Sequence, residues 1–295
     1  MGSGVGVIDY DNDGRPDLVF VSGGGRPGSK EARTNRLALY RNQGSFTFRD
    51  VTESAGLSGH FSTYGMGVTV ADFDNDGDSD LLLTGFPRCI LFRNEGGRFI
   101  DVTEHAGVRN DGRWATSAGW FDYDRDGWLD LAIANYVSDF SWDDPRFCGE
   151  AAPGRRTYCH PDVYKGAGVQ LYRNRGDGTF TDVSKGAGLE TDRGKCLGLI
   201  LADVDGDSWP DIFVANDGAP NFLYINRRNG TFRESALANG VGFSEDGQTE
   251  AGMGVDAADV NGDLLPDIYI THLDNELNRL YLSAAPGQYR DATAA

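Results

Sequence analysis

Apolar and polar positions along the chain fall into a unit that recurs five times. In the first copy an apolar run, Val5-Gly-Val-Ile8, leads into the acidic stretch Asp9-Tyr-Asp11-Asn-Asp13-Gly14-Arg-Pro-Asp17, and a second apolar run, Leu18-Val-Phe-Val21, follows. The same stretch returns at Asp72–Asp80, Asp122–Asp130, Asp203–Asp211 and Asp259–Asp267, at spacings of 63, 50, 81 and 56 residues. Each unit continues with a third run, Asn35-Arg-Leu-Ala-Leu-Tyr-Arg-Asn42 in the first copy and Ile90-Leu-Phe-Arg-Asn94 in the second. A fourth run closes it, as in Phe99-Ile-Asp-Val-Thr103. Strands are short and tight turns shorter, so these spacings hold four strands, A to D, per unit.

Strand B decides the architecture. Leu81-Leu-Leu83, Leu131-Ala-Ile-Ala134 and Ile212-Phe-Val-Ala215 do not alternate, so both faces of each strand need cover. Four-stranded sheets stacked face to face around an axis supply it, which predicts an all-β protein, a β-propeller of four-stranded antiparallel blades. Five repeats predict five blades, with five blades of a larger, seven-bladed propeller as the alternative, which would leave an exposed edge face. Residues 1–295 are expected to form a single propeller domain. Its blades run approximately 1–57, 64–108, 114–189, 195–241 and 251–295, and an insertion at 137–168 in the third explains the longest spacing.

Carboxylates at positions 1, 3, 5 and 9 of each nine-residue loop repel one another and need a counter-charge. Oxygen donors at this density suit Ca²⁺, which takes six to eight hard ligands in flexible geometry. The expected ligands are Asp9, Asp11, Asp13 and Asp17; Asp72, Asp74, Asp76 and Asp80; Asp122, Asp124, Asp126 and Asp130; Asp203, Asp205, Asp207 and Asp211; and Asp259, Asn261, Asp263 and Asp267. An EF-hand is excluded because position 12 is Phe20, Leu83, Ile133, Val214 or Ile270 instead of Glu. Up to five Ca²⁺ are expected, and five would bring the formal net charge of −18 to about −8. With the loops loaded, the acidity reads mostly as metal-site chemistry. No basic stripe points to nucleic acid, and no apolar run is long enough to span a membrane. The chain opens in a strand pattern at Gly4 without a signal peptide, so it reads as a mature fragment or an excised domain.

The unit Gly-x-Gly-Val-x-x-x-Asp-x-Asp-x-Asp-Gly-x-x-Asp-Leu resembles the FG-GAP or VCBS-type repeat, known from calcium-binding propeller blades such as those of integrin α-chains. With Leu-Tyr-Arg-Asn, Phe-x-Asp-Val-Thr and Ala-Gly, the pattern is similar to the cartilage acidic protein family and its bacterial ASPIC/UnbV-like relatives. The segment from Phe147-Cys-Gly to Tyr158-Cys-His-Pro-Asp-Val-Tyr164 is similar to an insertion of the bacterial members. The resemblance implies an extracellular or cell-envelope location, calcium for folding, and binding or adhesion. It also reaches members encoded beside natural-product biosynthesis genes. A C-terminal domain common in the family is not evident here.

The last two loops depart from the pattern: Gly206 and Gly262 stand at position 4, and Ser208 and Leu264 replace the position-6 glycine. That position needs a sharp turn that glycine makes cheaply. With Asn261 also in place of an aspartate, the fifth site is expected to be the weakest. Cys148 and Cys159 enclose Gly149, Pro153 and Gly154 and are expected to form a disulfide, stabilising by about 3 kcal/mol in the chain-entropy model. A zinc site from them and His160 lacks a fourth ligand. Cys89 and Cys196 lie in non-neighbouring blades and are expected to stay apart as buried thiols.

Antiparallel connectivity puts the acidic A–B loops on one propeller face and the B–C and D–A loops, the insertion among them, on the other. The insertion carries Phe140, Trp142, Phe147, Tyr158 and Tyr164 beside Asp143, Asp144, Arg146, Arg155 and Arg156, as a pinned flap or as a wall of a binding site. No nucleophile elbow, HExxH, P-loop or Cys-x-x-Cys occurs. Asp217, His272, Asp274 and Glu276 follow strands B on that face, which makes His272, Asp217 and Glu276 weak catalytic candidates; His60, His105 and His160 have no evident partner. The leading expectation is a calcium-stabilised β-propeller acting as an extracellular protein- or glycan-binding module. The alternative is a cofactor-independent enzyme of natural-product biosynthesis, holding a small-molecule substrate on the face opposite the calcium loops.

Overall fold

The computed structural model describes the chain except residues 1–3, 27–28, 30–36, 60, 62, 151–154, 158, 190–191 and 294–295. Parts of the expected strand C (Asn35 and residue 36), together with His60, Pro153, Gly154 and Tyr158, therefore lie outside the described residues.

The five repeats become five four-stranded antiparallel sheets, the blades of a β-propeller. The first holds β1 (Val5–Ile8), β2 (Asp17–Val21), β3 (Leu37–Asn42) and β4 (Phe48–Asp50). The second holds β5 (Tyr64–Ala71), β6 (Asp80–Phe86), β7 (Ile90–Asn94) and β8 (Phe99–Asp101). A short helical turn, α1 (Thr103–Ala106), leads to the third, in which β9 (Ala115–Phe121) and β10 (Asp130–Asn135) precede the insertion. The insertion contains the two-residue pair β11 (Gly149–Glu150) and β12 (Arg155–Arg156), and the sheet is completed by β13 (Val169–Asn174) and β14 (Phe180–Asp182). The fourth holds β15 (Cys196–Ala202), β16 (Asp211–Asn216), β17 (Phe222–Asn226) and β18 (Phe232–Glu234). The fifth holds β19 (Gly252–Ala258), β20 (Asp267–His272), β21 (Arg279–Ala285) and β22 (Gln288–Asp291).

Register is the same in every A–B hairpin. The residue before loop position 1 pairs with the aspartate at position 9: Ile8 with Asp17, Ala71 with Asp80, Phe121 with Asp130, Ala202 with Asp211 and Ala258 with Asp267. A one-residue slip would swap the two faces of the sheet, so the apolar runs on both sides pin the loop length.

Packing between blades follows one scheme. Val19, Val21, Leu37 and Leu39 of the first blade meet Leu81, Leu83, Ile90, Phe92 and Phe99 of the second. Equivalent apolar clusters join the second blade to the third, the third to the fourth and the fourth to the fifth. Strands β6, β10 and β16 are buried along their whole length, as their unbroken apolar runs require. Among the described residues no such cluster joins the fifth blade to the first. The outward sides of β2 and β20 are correspondingly open, with Phe20 and Tyr269 exposed.

The insertion packs Phe140, Trp142 and Tyr164 against Phe86, Trp114 and Val137. Cys148 and Cys159 form the expected disulfide, with Cα atoms 5.0 Å apart, which removes both from any zinc site. Cys89 and Cys196 are buried and unpaired; Cys196 opens β15 and Cys89 lies one residue before β7. Burial pushes both thiols up to about 12.

Candidate metal centres

The second acidic loop shows how sequence becomes a site. Asp72, at position 1, accepts the backbone N–H groups of Asp76 (3.1 Å) and Gly77 (2.9 Å), which folds the loop over its own first carboxylate. Asp76, at position 5, accepts the N–H of Asp78 (2.8 Å). Asp80, at position 9, is fully buried and accepts the N–H of Phe73 (3.0 Å) and, from strand C, of Asn94 (2.7 Å). Three of the four carboxylates thus hold the backbone. Asp74 is different: its Oδ1 is buried and finds no well-formed hydrogen bond, the nearby Asp76 N–H being the least of the influences on its carboxyl. Such an atom costs free energy unless something positive meets it.

Asp72, Asp74 and Asp80 each offer an oxygen, all lying within 4.8 Å of one another. The third and fourth loops gather Asp122, Asp124, Asp130 and Asp203, Asp205, Asp211 in the same positions. In the first loop the trio is Asp9, Asp11 and Asp13, while Asp17 accepts N–H groups of Tyr10 (3.2 Å) and Asn42 (2.6 Å). Asp11 and Asp124 repeat the unpartnered buried Oδ1 of Asp74, whereas in the fourth loop Asp205 accepts the N–H of Asp207 at 3.2 Å. Asp76, Asp126 and Asp207 stand outside their trios. Among the described residues the fifth loop, with Asp259, Asn261, Asp263 and Asp267, forms no such trio.

The electrostatics follow the geometry. Burial, partly offset by the two backbone hydrogen bonds, pushes the carboxyls of Asp80, Asp130 and Asp211 up to about 7. Desolvation first, then neighbouring carboxylates, raises Asp74 and Asp124; desolvation and Asp207 raise Asp205. A cation reverses both effects. Part of the counter-charge is already built in, and sequence reading missed it although Leu-Tyr-Arg-Asn recurs. The Arg41 guanidinium lies 2.7 Å from Asp11 and 2.9 Å from Asp13, and Arg173 lies 2.8 Å from Asp124 and 3.1 Å from Asp126. Asp13 is lowered: desolvation is the largest single influence on it, but the hydrogen bonds from Arg41 and the Arg15 N–H and the charges of both arginines together outweigh it. Arg228, from the C–D turn, meets Asp207 in the fourth loop. All-oxygen trios with an uncompensated buried oxygen fit a hard divalent ion such as Ca²⁺.

Backbone conformation explains the departures in the last two loops. Positions 4 and 6 are both left-handed in all five: Asn12, Asn75 and Arg125 at position 4 have φ 53°, 57° and 59°, and their position-6 glycines 80°, 92° and 89°. In the last two loops the glycine moves to position 4, and Ser208 and Leu264 take the left-handed turn at φ 70° and 69°. Each loop keeps one glycine for two demanding positions.

On the opposite face the catalytic candidates hold structure. The Asp217 carboxylate accepts the Tyr136 hydroxyl at 2.6 Å, and Glu276 accepts the Ala251 N–H at 2.8 Å. His272 lies 3.7 Å from Glu250, which is clamped by Arg279; burial holds the imidazole below its usual range. His160 pairs with Asp162 at 3.4 Å. Nearby, Lys195 also reaches Asp162, at 2.8 Å, and Arg26 reaches Asp143 of the insertion, at 2.6 Å.

The chain matches the family model of the FG-GAP-like repeat over residues 9–83, 74–133, 160–214 and 203–270. It is 29% identical to cartilage acidic protein 1 of Mus musculus over 314 residues, covering 97% of this chain and 42% of that protein. The Homo sapiens protein is 28% identical, with 95% of this chain and 40% of that protein covered. The chain therefore spans about two fifths of the length of these curated relatives. Among solved structures, an Agrocybe aegerita lectin that recognises non-reducing terminal N-acetylglucosamine aligns with TM-score 0.51 and 17% identity, covering 98% of this chain and 65% of that one. That likeness concerns the fold.

Proposed function

Since the chain belongs to the FG-GAP-like repeat family, we propose that it is an extracellular, calcium-stabilised binding module, one propeller domain whose acidic loops are structural metal sites. The observation that carries this is the unpartnered buried Oδ1 of Asp11, Asp74 and Asp124, each within a trio of carboxylate oxygens. Ca²⁺ there neutralises the loops and fixes the A–B hairpins, so that folding and metal binding become one equilibrium. Function then falls to the other face, where B–C and D–A loops present Asp143, Phe147 and Arg26 to a protein or glycan ligand. Extracellular placement rests on the disulfide and on the kinship with cartilage acidic proteins. The enzymatic alternative has no support in the geometry, because Asp217 and Glu276 are tied into structural hydrogen bonds and His272 is buried beside an ion pair.

The test counts bound ions by native mass spectrometry and follows thermal unfolding with and without EDTA. Four Ca²⁺ per chain are expected, from the first four loops. Free ligand at 100 times Kd stabilises by about 2.7 kcal/mol per site, so chelation is expected to lower Tm by well over ten degrees. No bound ion and an unchanged Tm would sink the metal reading. Binding to a partner is then followed in variants of Asp143 and Phe147, which are expected to lose affinity without losing calcium.

A further inference from the structure

The acidic loops touch one another. At three junctions between blades, the side chain at position 4 of one loop reaches the turn at position 6 of the next. The Asn12 amide donates to the Asp78 carboxylate at 2.7 Å and to the Gly77 carbonyl at 3.4 Å. The Asn75 amide donates to the Gly127 carbonyl at 3.2 Å. The Arg125 guanidinium donates to the Ser208 carbonyl and lies over the Trp209 ring, 4.9 Å from its centre. An asparagine at the end of strand C keeps the same three pairs of loops side by side. It donates to the position-2 carbonyl of the preceding loop: Asn94 to Tyr10 (2.9 Å), Asn174 to Phe73 (2.8 Å) and Asn226 to Tyr123 (2.9 Å). The junction of the fourth loop with the fifth is built differently. Position 4 there is Gly206, which has no side chain to send across, and Ser283 replaces the asparagine.

Each crossing joins carboxylates of two different trios. Position 4 directly follows position 3, whose aspartate belongs to the trio in all of these loops. The residue reached at position 6 has its own N–H on the position-1 carboxylate: Gly77 on Asp72 (2.9 Å), Gly127 on Asp122 (2.9 Å) and Ser208 on Asp203 (2.8 Å). Asp11 is thus connected to Asp72, Asp74 to Asp122 and Asp124 to Asp203, each time through one side chain and one turn residue. An ion that fixes position 3 of one loop fixes position 4 beside it. The next loop's turn is then held in the shape that presents its first carboxylate, and the second ion has less chain left to order.

We propose that the first four loops take up Ca²⁺ cooperatively, as one row coupled by Asn12, Asn75 and Arg125, and that the row ends at Gly206; this rests on the metal reading above. Such coupling is reciprocal, so an ion in either of two neighbouring loops favours an ion in the other. Repulsion between the ions works against it, but each ion sits among its own carboxylates and salt screens the remainder. The acidic face of the first four blades then fills over a narrower range of calcium concentration than four separate sites would.

The test titrates the 295-residue chain with Ca²⁺ and reads the number of ions on each molecule by native mass spectrometry. Only compact, low-charge species are counted, which keeps unfolded chains out. With neighbours coupled about twentyfold, the zero- and four-ion forms are each expected to outnumber the two-ion form at half-loading. Asn75→Gly removes the middle crossing and keeps position 4 left-handed, as Gly206 and Gly262 already do at φ 75° and 83°. It cuts the row two and two, so the two-ion form is expected to rise about twofold and become the commonest. Arg125→Gly cuts the row three and one, so the one- and three-ion forms are expected to exceed the two-ion form. Four bound ions with the two-ion form commonest in the unsubstituted chain overturn the coupling and leave the metal sites standing. Distributions that neither substitution changes, as global unfolding would give, overturn the assignment to position 4. No bound ion in the unsubstituted chain defeats the metal reading itself, and the proposal with it.

Discussion

The second acidic loop and the fifth fold the same way and differ in what they can hold. Asp259 accepts the N–H groups of Asp263 and Leu264 as Asp72 accepts those of Asp76 and Gly77. Asp267 accepts Val260 and Ser283 as Asp80 accepts Phe73 and Asn94. The difference sits at position 3. The Oδ1 of Asp74 is buried and unpartnered, whereas the Oδ1 of Asn261 is occupied by the Asp263 N–H at 2.9 Å. Positions 1 and 9 therefore shape the loop, and on the reading proposed above the position-3 carboxylate, present in the first four loops and replaced by the Asn261 amide in the fifth, decides whether that shape holds a cation. On that reading a repeat can lose its metal and keep its turn.

The hardest way to break the comparison is to remove position 9 from both loops. Asp80→Ala strips two buried N–H groups of their acceptor, and at about 1–3 kcal/mol each a loss of about 3 kcal/mol is expected, together with one bound calcium. Asp267→Ala removes the equivalent bonds, but Val260 is exposed and water can replace one of them. A smaller loss, about 1–2 kcal/mol, is expected, with the calcium count unchanged. Urea unfolding and native mass spectrometry read both quantities. If Asp267→Ala also costs an ion, the fifth loop is a metal site and the distinction fails.

Exchanging position 3 sharpens the contrast. Asp74→Asn is expected to weaken one calcium site at least tenfold, a difference of about 1.4 kcal/mol, while leaving the far-ultraviolet spectrum unchanged. Asn261→Asp adds the missing charge to the fifth loop and is expected to raise the calcium count by one at millimolar metal. Isothermal titration with Ca²⁺ on both variants decides; an unaffected Asp74→Asn protein would show that position 3 does not select the ion.

A pH profile separates metal from fold more gently. Burial raises the folded-state carboxyls of Asp80, Asp130 and Asp211 to about 7, above the unfolded value near 4. The folded protein then binds more protons than the unfolded one between those values, so stability falls as pH rises across that window. In EDTA, Tm is expected to decline from pH 5 to pH 7.5. With saturating Ca²⁺, which favours the ionised carboxylates, the decline is expected to vanish or reverse. Parallel curves in the two conditions would mean that these aspartates do not meet the ion.

Much of this was legible in the sequence because it was repeated. The five acidic stretches, the unbroken apolar runs of strand B and the Cys148–Cys159 spacing each led directly to an element the structure contains. Asn94, whose amide donates to the Tyr10 carbonyl of the neighbouring blade's loop at 2.9 Å, and Arg41 were visible as letters in strand C, yet their role depends on which loop lies beside them, which a local pattern does not state. The division of labour inside the loop was hidden for a related reason. Aspartates at positions 1, 3, 5 and 9 look alike in a sequence, and only the backbone N–H groups around them distinguish a clamp from a ligand. An exposed edge face was foreseen only as the alternative to a closed ring, and the sequence did not place it on the first blade, since Phe20 is as apolar as Leu83 and only its neighbour differs.

The smallest effect concerns the glycine that moved. Leu264 is 89% exposed at φ 69°, so its side chain brings little packing to offset a left-handed backbone, while Gly77 holds the same position at φ 92° in the second loop. Leu264→Gly is therefore expected to stabilise the fifth loop, by at most about 1 kcal/mol, since glycine also loses more backbone freedom on folding. Gly77→Leu, the reverse exchange, is expected to cost about 1–2 kcal/mol, because position 4 of that loop is already a left-handed Asn75 and no glycine remains. The double variant Gly77→Leu with Asn75→Gly moves the second loop's glycine to the place it has in the fifth, and is expected to recover most of that cost. Chemical unfolding of the three proteins measures it. If the double variant recovers nothing, the two left-handed positions are not interchangeable and the fifth loop tolerates Leu264 for some other reason.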